Sequence, residues 1–212
     1  MMLTALAREE KSAALAPCPL EQIRPGLYIG IQALLQDTCN GVRQVAPELE
    51  SVRRETERAI HGTSPDAWVS APPGKWNSLQ ILEHLTLSYT ATTKGLLRTM
   101  EQGKPQRAEP DFRQRLRCLY VLGLGRFPAG RDAPQHTLPR AGLGNDPLRR
   151  FNDALVAMDA TLTDAEKRFG VRTRLLNHPV LGPLTAQGWR RFHQVHGRHH
   201  LKQVVARLSG RD

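Results

Sequence analysis

Histidine is concentrated near the C-terminal end of this 212-residue chain. Four of its eight histidines, His193, His196, His199 and His200, fall within eight residues. His196 and His200 are four residues apart, and residues four apart lie on one face of an α-helix. Two imidazoles one turn apart can reach a common metal ion, as in zinc sites of the HxxxH type. The spacing therefore predicts half of a metal site.

A further ligand would have to come from another helix, and His84 is the best candidate. It lies between Leu82 and Leu85, on a predicted helix with an apolar stripe. A neutral imidazole in a protein core needs partners for both ring nitrogens, and a shared ion would satisfy one nitrogen on each of three histidines. Three histidine ligands leave a coordination position open for water or substrate, which is the catalytic rather than the structural pattern.

Plainer interpretations of the same histidines stay open at this point. A lone His84 is more often a hydrogen-bonded core residue than a ligand, and an HxxxH pair on a helix can be part of a polar face. His193 and His199 are rotated off the row of His196 and His200, so we interpret them as rim residues or as residues that contact the ligands. We interpret three more as structural residues in loops or at helix ends: His61, His136 and His178.

Two neighbours of these histidines bear on the chemistry. Glu83 adjoins His84 but should point about a third of a turn away, so it is not assigned as a base. Gln203 is one turn beyond His200 and could orient a ligand or a substrate, or could face solvent. A divalent ion lowers the pKa of a bound water or thiol. The sequence predicts this chemistry without identifying a catalytic residue.

The elements that must position these residues are helices. Apolar spacing and capping residues predict helices over about 46–61, 78–102 and 111–124, one beginning at Asp146-Pro147, and one over about 186–208 that Thr185 caps. A short helix is also predicted over 29–39. Residues 62–77, 125–145 and 170–184 are predicted loops, with a short strand near 171–176 as an alternative. Long helices joined by loops predict an all-α bundle.

Two apolar stripes identify predicted buried sides. On the helix that begins at Asp146, the stripe is formed by Phe151, Leu155, Met158 and Leu162. On the helix over 111–124, the predicted buried side is formed by Leu116, Leu119, Tyr120 and Leu122.

The composition argues against several classes of function. The formal net charge is +10, but the basic residues are dispersed and no aromatic residues alternate with them, so nucleic-acid binding is not expected. No apolar run approaches the ~18 residues of a membrane helix, and Arg8 to Lys11 interrupt any signal-peptide core, so we expect a cytoplasmic protein with no membrane partner. The three cysteines are widely separated, which favours reduced thiols.

Two segments resemble the signatures of a known family, the DinB-like superfamily. The first is Trp76-Asn77-Ser78-Leu79-Gln80-Ile81-Leu82-Glu83-His84-Leu85, and the second is His196-Gly197-Arg198-His199-His200-Leu201-Lys202-Gln203. The stretch from His178 to Thr185 is similar to the lead-in of one subgroup. The resemblance covers about 46–208. It predicts an N-terminal extension over 1–45, partly helical, and a DinB-like domain over 46–212.

The resemblance implies an all-α, DinB-like four-helix bundle of the up-down-down-up type. It also implies a divalent metal ion, nickel or zinc, whose ligands map onto His84, His196 and His200. Some relatives are transferases that use low-molecular-weight thiols. We therefore expect a metal-dependent thiol transferase or hydrolase that acts on a small molecule, and a homodimer is compatible with this. The alternatives are a metal-binding bundle without enzymatic activity and a weak nucleic-acid-binding protein.

Overall fold

The structure is a computed structural model that describes residues 44–106, 108–128, 130, 132–140 and 146–210. The predicted helix over 29–39 lies outside these residues, as does nearly all of the predicted extension over 1–45. The helices are α1 Pro47–Ile60, α2 Pro65–Val69, α3 Ser78–Gln102, α4 Phe112–Cys118, α5 Pro147–Phe169 and α6 Ala186–Ser209. A π-helical turn, Leu119–Gly123, continues α4, and a 3-10 turn spans Gln135–Thr137.

The long helices begin where capping residues occur in the sequence. At the start of α3 the Asn77 side chain accepts from the Gln80 backbone N–H at 2.9 Å, and the Gln80 side chain accepts from the Asn77 N–H at 3.0 Å. This helix ends at Gly103, whose φ of 64° places it in the left-handed region. Asp146 caps α5 and Thr185 caps α6 through the same type of bond. These boundaries confirm the predicted ones to within a residue or two.

Helices α1, α3, α5 and α6 pack around one core, with α3 mainly against α5 and α1 mainly against α6. The predicted stripe of α5 is fully buried: Phe151, Leu155, Met158 and Leu162. On α6, Phe192 and Val204 are buried and Leu208 is partly buried, so the row that contains His196 and His200 faces inward. The all-α class is confirmed.

A small hairpin replaces most of the loop that was predicted over 170–184. Strands β1 Arg174–His178 and β2 Gly182–Thr185 pair antiparallel directly before α6. The alternative strand near 171–176 overlaps β1. The loop prediction is wrong for β2 and for the pairing, because strands of five and four residues are too short to show a clear alternation. The hairpin buries Leu175, Leu181 and Leu184 against the helices, so this packing stabilises a pairing that the local sequence signals poorly.

The predicted buried side of α4 is also wrong. Leu116, Leu119 and Tyr120 are 51%, 62% and 43% exposed, whereas Val121 is buried and Leu122 is half-buried. The opposite side of the helix packs on the domain, where the Cys118 thiol donates to the Leu181 carbonyl at 3.3 Å. Periodicity identified an apolar stripe, but a stripe alone does not show that a partner covers it.

The segment 62–77 was predicted to be a loop throughout, but the structure has a short helix, α2, within it. Ser64 caps it, because its side chain accepts from the Ala67 backbone N–H at 3.4 Å. None of the helices in the described part of the chain combines the length and the apolar character that a membrane span requires.

Candidate metal centre

Helices α3 and α6 bring together the three predicted ligands. His84 lies on α3, and His196 and His200 lie one turn apart on α6. All three side chains are buried, and one ring nitrogen of each lies within 4.8 Å of those of the other two. No cysteine, aspartate or glutamate among the described residues belongs to this group of possible ligands. Neutral nitrogen donors of this kind suit several divalent transition metals.

One imidazole nitrogen from α3 and one from α6 lie about as close together as two ligands of the same metal ion. His84 Nε2 and His196 Nε2 are 3.1 Å apart. Two nitrogens, each about 2.0–2.1 Å from one zinc ion in a tetrahedral arrangement, are separated by only slightly more than this. The ring centroid of His200 lies 4.7 Å from that of His84 and 4.7 Å from that of His196. The geometry of the three rings therefore fits one small divalent ion.

The protonation of two of the rings follows from their hydrogen bonds. His84 Nδ1 lies 2.9 Å from the carbonyl oxygen of Thr137, which only accepts, so the proton must be on Nδ1. His200 Nδ1 donates in the same way to Gln203 Oε1 at 2.8 Å. Both Nε2 atoms are therefore free of protons and present lone pairs to the centre, as metal-ligating histidines do.

His196 supplies a further test of whether an ion fits. Its Nδ1 is buried and has no hydrogen-bond partner, while its Nε2 faces the lone pair of His84 Nε2. Without an ion, His196 can carry its proton on Nε2 and donate it to the His84 Nε2 lone pair at 3.1 Å. A divalent ion at the same point would replace that hydrogen bond and accept the lone pairs of both nitrogens. The residues therefore fit a bound ion.

Burial keeps the three imidazoles neutral. Desolvation lowers the pKa of His84, lowers that of His196 well below its usual value, and lowers that of His200 to about 3. The charges of neighbouring histidines act in the same direction on His196 and His200. Because a metal competes with protons for imidazole nitrogen, low pKa values keep the site ready for an ion at neutral pH.

Aromatic rings surround the group. The ring centroid of Trp76 lies 5.1 Å from that of His84, and the centroid of Phe127 lies 5.1 Å from that of His196. Phe192 stacks on His196 at 5.4 Å with an interplanar angle of 14°. This shell limits the access of water and strengthens electrostatic interactions inside it.

The other two histidines of α6 have different surroundings. His193 was predicted to be a rim residue or a contact of the ligands, but it is 1% exposed, so the rim interpretation is wrong. Its Nε2 lies 3.0 Å from the Thr92 hydroxyl oxygen, and its ring packs between Trp189 and Tyr89. His199 is half-buried and does lie beside the site, where its Nε2 accepts from the Gln203 side-chain amide at 3.3 Å.

The remaining histidines are outside the centre. His178 was predicted to lie in a loop but lies in β1, where its Nδ1 accepts from the backbone N–H groups of Val180 and Leu181, each at 3.1 Å. That arrangement supports the structural interpretation. His61 and His136 are exposed.

Sequence reasoning missed several residues of the centre. The Thr137 carbonyl is a backbone group at the end of the 3-10 turn, and nothing in the sequence distinguishes it from other carbonyls. Phe127 lies in a Gly- and Pro-rich segment without periodicity, so no pattern placed it beside the histidines. Gln203 was identified as a candidate from its spacing to His200, and the structure places it on that ring.

Gly197 allows a neighbouring helix to approach the ligand-bearing part of α6. A Cβ atom at this position would lie 2.7 Å from Val52 Cγ1 of α1 and 3.4 Å from the Tyr89 hydroxyl oxygen of α3. Contacts of 2.7 Å are too short for carbon atoms, so only glycine fits without a shift. The glycine between the two ligands therefore lets α1 and α3 pack closely on this part of α6.

Comparison with known proteins places this arrangement in a family. The sequence matches the DinB superfamily over residues 48–204, which include His84, His196 and His200 and most of the four long helices. No curated protein and no solved structure matches the chain. Because the family match covers well over half of the sequence, the chain belongs to the DinB superfamily.

Proposed function

We propose that this protein holds one divalent ion, nickel or zinc, on His84, His196 and His200, and uses it in a transferase or hydrolase reaction on a small molecule. A low-molecular-weight thiol is the proposed co-substrate. One observation carries the metal site: His84 and His200 present deprotonated Nε2 atoms to a common point because Thr137 and Gln203 hold their Nδ1 protons.

Three neutral histidines suit a catalytic ion better than a structural one. Structural zinc sites are usually closed by four protein ligands, whereas three leave room for water or substrate. When bound, such an ion lowers the pKa of a coordinated water or thiol. The chain itself keeps the imidazoles neutral, orients them through their hydrogen bonds, and restricts water with Trp76 and Phe127. No side chain is assigned here as an acid or base.

The metal site is tested by elemental analysis of the full chain, purified without a histidine tag. We expect about one divalent ion per chain, and a loss of most of it in His84→Ala, His196→Ala and His200→Ala. His61→Ala, at an exposed position, is the matched control and should keep the ion. A folded, metal-free protein that also fails to bind added nickel and zinc would contradict the proposal.

The depth of the site favours a second candidate, a metal-binding bundle without turnover. All three ligands are buried, and aromatic rings surround them, which limits access by a substrate. The two candidates differ in one measurement. Metal-loaded protein is incubated with a low-molecular-weight thiol and a small electrophile, and the conjugate is quantified against His200→Ala. Equal rates in the two proteins would exclude the thiol-transferase reaction and favour the bundle without enzymatic activity.

A further inference from the structure

An apolar ridge runs along the outward side of α4 and the π-helical turn after it. It consists of Phe112, Leu116, Leu119, Tyr120 and Leu124, which are between 43% and 73% exposed. Among the described residues, these five make up more than half of the large hydrophobic side chains that are exposed. Single exposed apolar residues are ordinary, but a continuous row on one helix marks a surface that contacts something.

Three arginines lie beside the apolar row and among its outer side chains. At about 100° per residue, Phe112, Leu116 and Leu119 fall within about 60° of one another. Arg115 then lies on one flank of this row, and on the other flank Arg113 and Arg117 alternate with Tyr120 and Leu124. All three arginines are exposed. Nearby acids are few: Asp111 caps α4, and Glu109 binds Arg174 and lies 3.9 Å from Arg115.

The ridge is held in place by the opposite side of the helix. The Cys118 thiol donates to the Leu181 carbonyl of the hairpin, and the Leu122 carbonyl accepts from Arg191 Nε of α6 at 2.8 Å. Val121 is buried between these contacts. The apolar row therefore faces outward as a fixed part of the domain, with its flanking arginines beside it.

We propose that this ridge docks on a membrane surface that contains anionic phospholipid. An apolar row with arginines on both flanks is the pattern of a helix that lies in a lipid interface, with its apolar side chains inserted and its cations at the headgroups. The proposal departs from the expectation, drawn from the sequence, that the protein has no membrane partner. It requires peripheral contact, without a spanning helix.

Charge distinguishes an anionic membrane from two other partners that could cover the ridge, a second copy of the chain and residues 1–43. In a symmetric dimer the same patch meets itself, which would bring the arginines of two copies together. Residues 1–43 carry four basic residues (Arg8, Lys11, Arg24, Arg43) and four acidic ones (Glu9, Glu10, Glu21, Asp37), so they offer no surplus of negative charge to the ridge. An anionic lipid surface supplies both the negative charge and the apolar phase.

The test is co-sedimentation of the full chain with vesicles of phosphatidylcholine, with and without about 30% phosphatidylglycerol. We expect binding to the anionic vesicles alone, weakening as salt is raised. The double variants Leu116→Gln/Leu119→Gln and Arg113→Gln/Arg117→Gln should each lower the partition coefficient about tenfold or more, because one removes inserted apolar groups and the other removes charge.

Matched controls make the same chemical changes elsewhere on the surface. Val171→Gln and Arg172→Gln alter exposed residues of the turn between α5 and β1, and both should bind vesicles like the unaltered chain. Three results would overturn the proposal. One is equal binding by the ridge variants and the controls. Another is a wild-type chain that does not bind anionic vesicles. A change of sedimentation mass from dimer to monomer in the ridge variants is the third, because it would make the ridge a contact between two copies of the chain.

Discussion

Gln203 contacts two histidines at once and fixes the orientation of one ligand. Its Oε1 accepts from His200 Nδ1 at 2.8 Å, and its amide nitrogen lies 3.3 Å from His199 Nε2. Without this acceptor, His200 can rotate or move its proton to the nitrogen that faces the centre. We expect Gln203→Leu to weaken zinc or nickel binding about 10- to 100-fold in a competition titration with a chelator.

Gln187→Leu is the matched control for this prediction. Gln187 is an exposed glutamine at the start of the same helix, and its replacement should leave metal affinity unchanged. Equal affinities of Gln203→Leu and the unaltered chain would show that His200 needs no orienting partner. His199→Ala should have a smaller effect than either ligand substitution on α6, because His199 acts through Gln203.

Buried histidines outside the metal group make stability depend on pH. Burial lowers the pKa of His178 to about 4 and, with the charge of His178, that of His193 to about 3. In the unfolded chain these histidines take up protons near the ordinary histidine pKa of about 6.5, whereas in the folded chain they stay neutral at that pH. The free energy of unfolding should therefore fall as pH drops from about 6.5 towards about 4.

Urea denaturation of the metal-free chain at several pH values measures this dependence. The metal-group histidines, whose pKa values are also lowered, add to it in the same direction. Each histidine contributes at most about 1.4 kcal/mol per pH unit. His178→Gln should flatten the profile, and His61→Gln, at an exposed position, should not. A stability that rises on acidification would contradict the prediction.

At the level of elements, the close approach of α1 to α6 depends on Gly197. Gly197→Ala places a methyl group 2.7 Å from Val52 Cγ1, and we expect it to lower the free energy of unfolding by about 1–3 kcal/mol. Val52→Ala removes the carbon atom that clashes. The double variant should therefore be less destabilised than the sum of the two single changes. Additive effects in urea denaturation would mean that the two helices do not meet here.

How far the sequence predicts an element depends on where its stabilising contacts lie. Helices α3, α5 and α6 have their caps and apolar stripes within the segment itself, so their bounds were predicted closely. The hairpin depends on packing against helices that are distant in sequence, and its pairing was missed. For α4 the helix was predicted, but its exposed stripe was taken for a core face.

The same reasoning applies to the candidate centre. His196 and His200 were predicted because a core-facing row on one helix includes both, and His84 because it interrupts an apolar stripe. The loop groups that complete the centre, the Thr137 carbonyl and the Phe127 ring, depend on how a segment without periodicity folds back over α3 and α6. That path is a property of the tertiary fold, which local spacing does not encode.

At the level of the whole molecule, one buried ion network joins three parts of the bundle. Arg190 of α6 donates to Asp159 of α5 at 2.7 Å and to Glu166 at 3.0 Å, and Asp159 also accepts from the backbone N–H of Ala46 at 2.7 Å. Arg190→Met leaves the Asp159 carboxylate buried without its cation. We expect this change to cost about 3–5 kcal/mol of unfolding free energy in urea denaturation.

Replacing both partners provides the control for this prediction. Asp159→Leu/Arg190→Met removes the unpaired charge together with its partner, so much of the lost stability should return. If the double variant were less stable than Arg190→Met, the hydrogen bond from Ala46 would be the more important contact, since Asp159→Leu also removes it.

Residues 1–28 should be dispensable for the metal site. They lie outside the family match over 48–204 and contain three prolines, Pro17, Pro19 and Pro25. A shortened chain that begins near Tyr28 should keep the helical circular dichroism and the zinc affinity of the full chain. Loss of either in the shortened chain would show that this segment packs on the bundle.

The separation of the ligands along the chain has a consequence for how an ion enters and leaves. His84 and His196 are 112 residues apart, so an ion that joins them closes a long loop, as a cross-link would. The unfolded chain keeps His196 and His200 as neighbours, but it meets the third ligand only when α3 and α6 have packed. Exchange of the ion should therefore follow the opening of the bundle, and the ion should reside for as long as those two helices stay together.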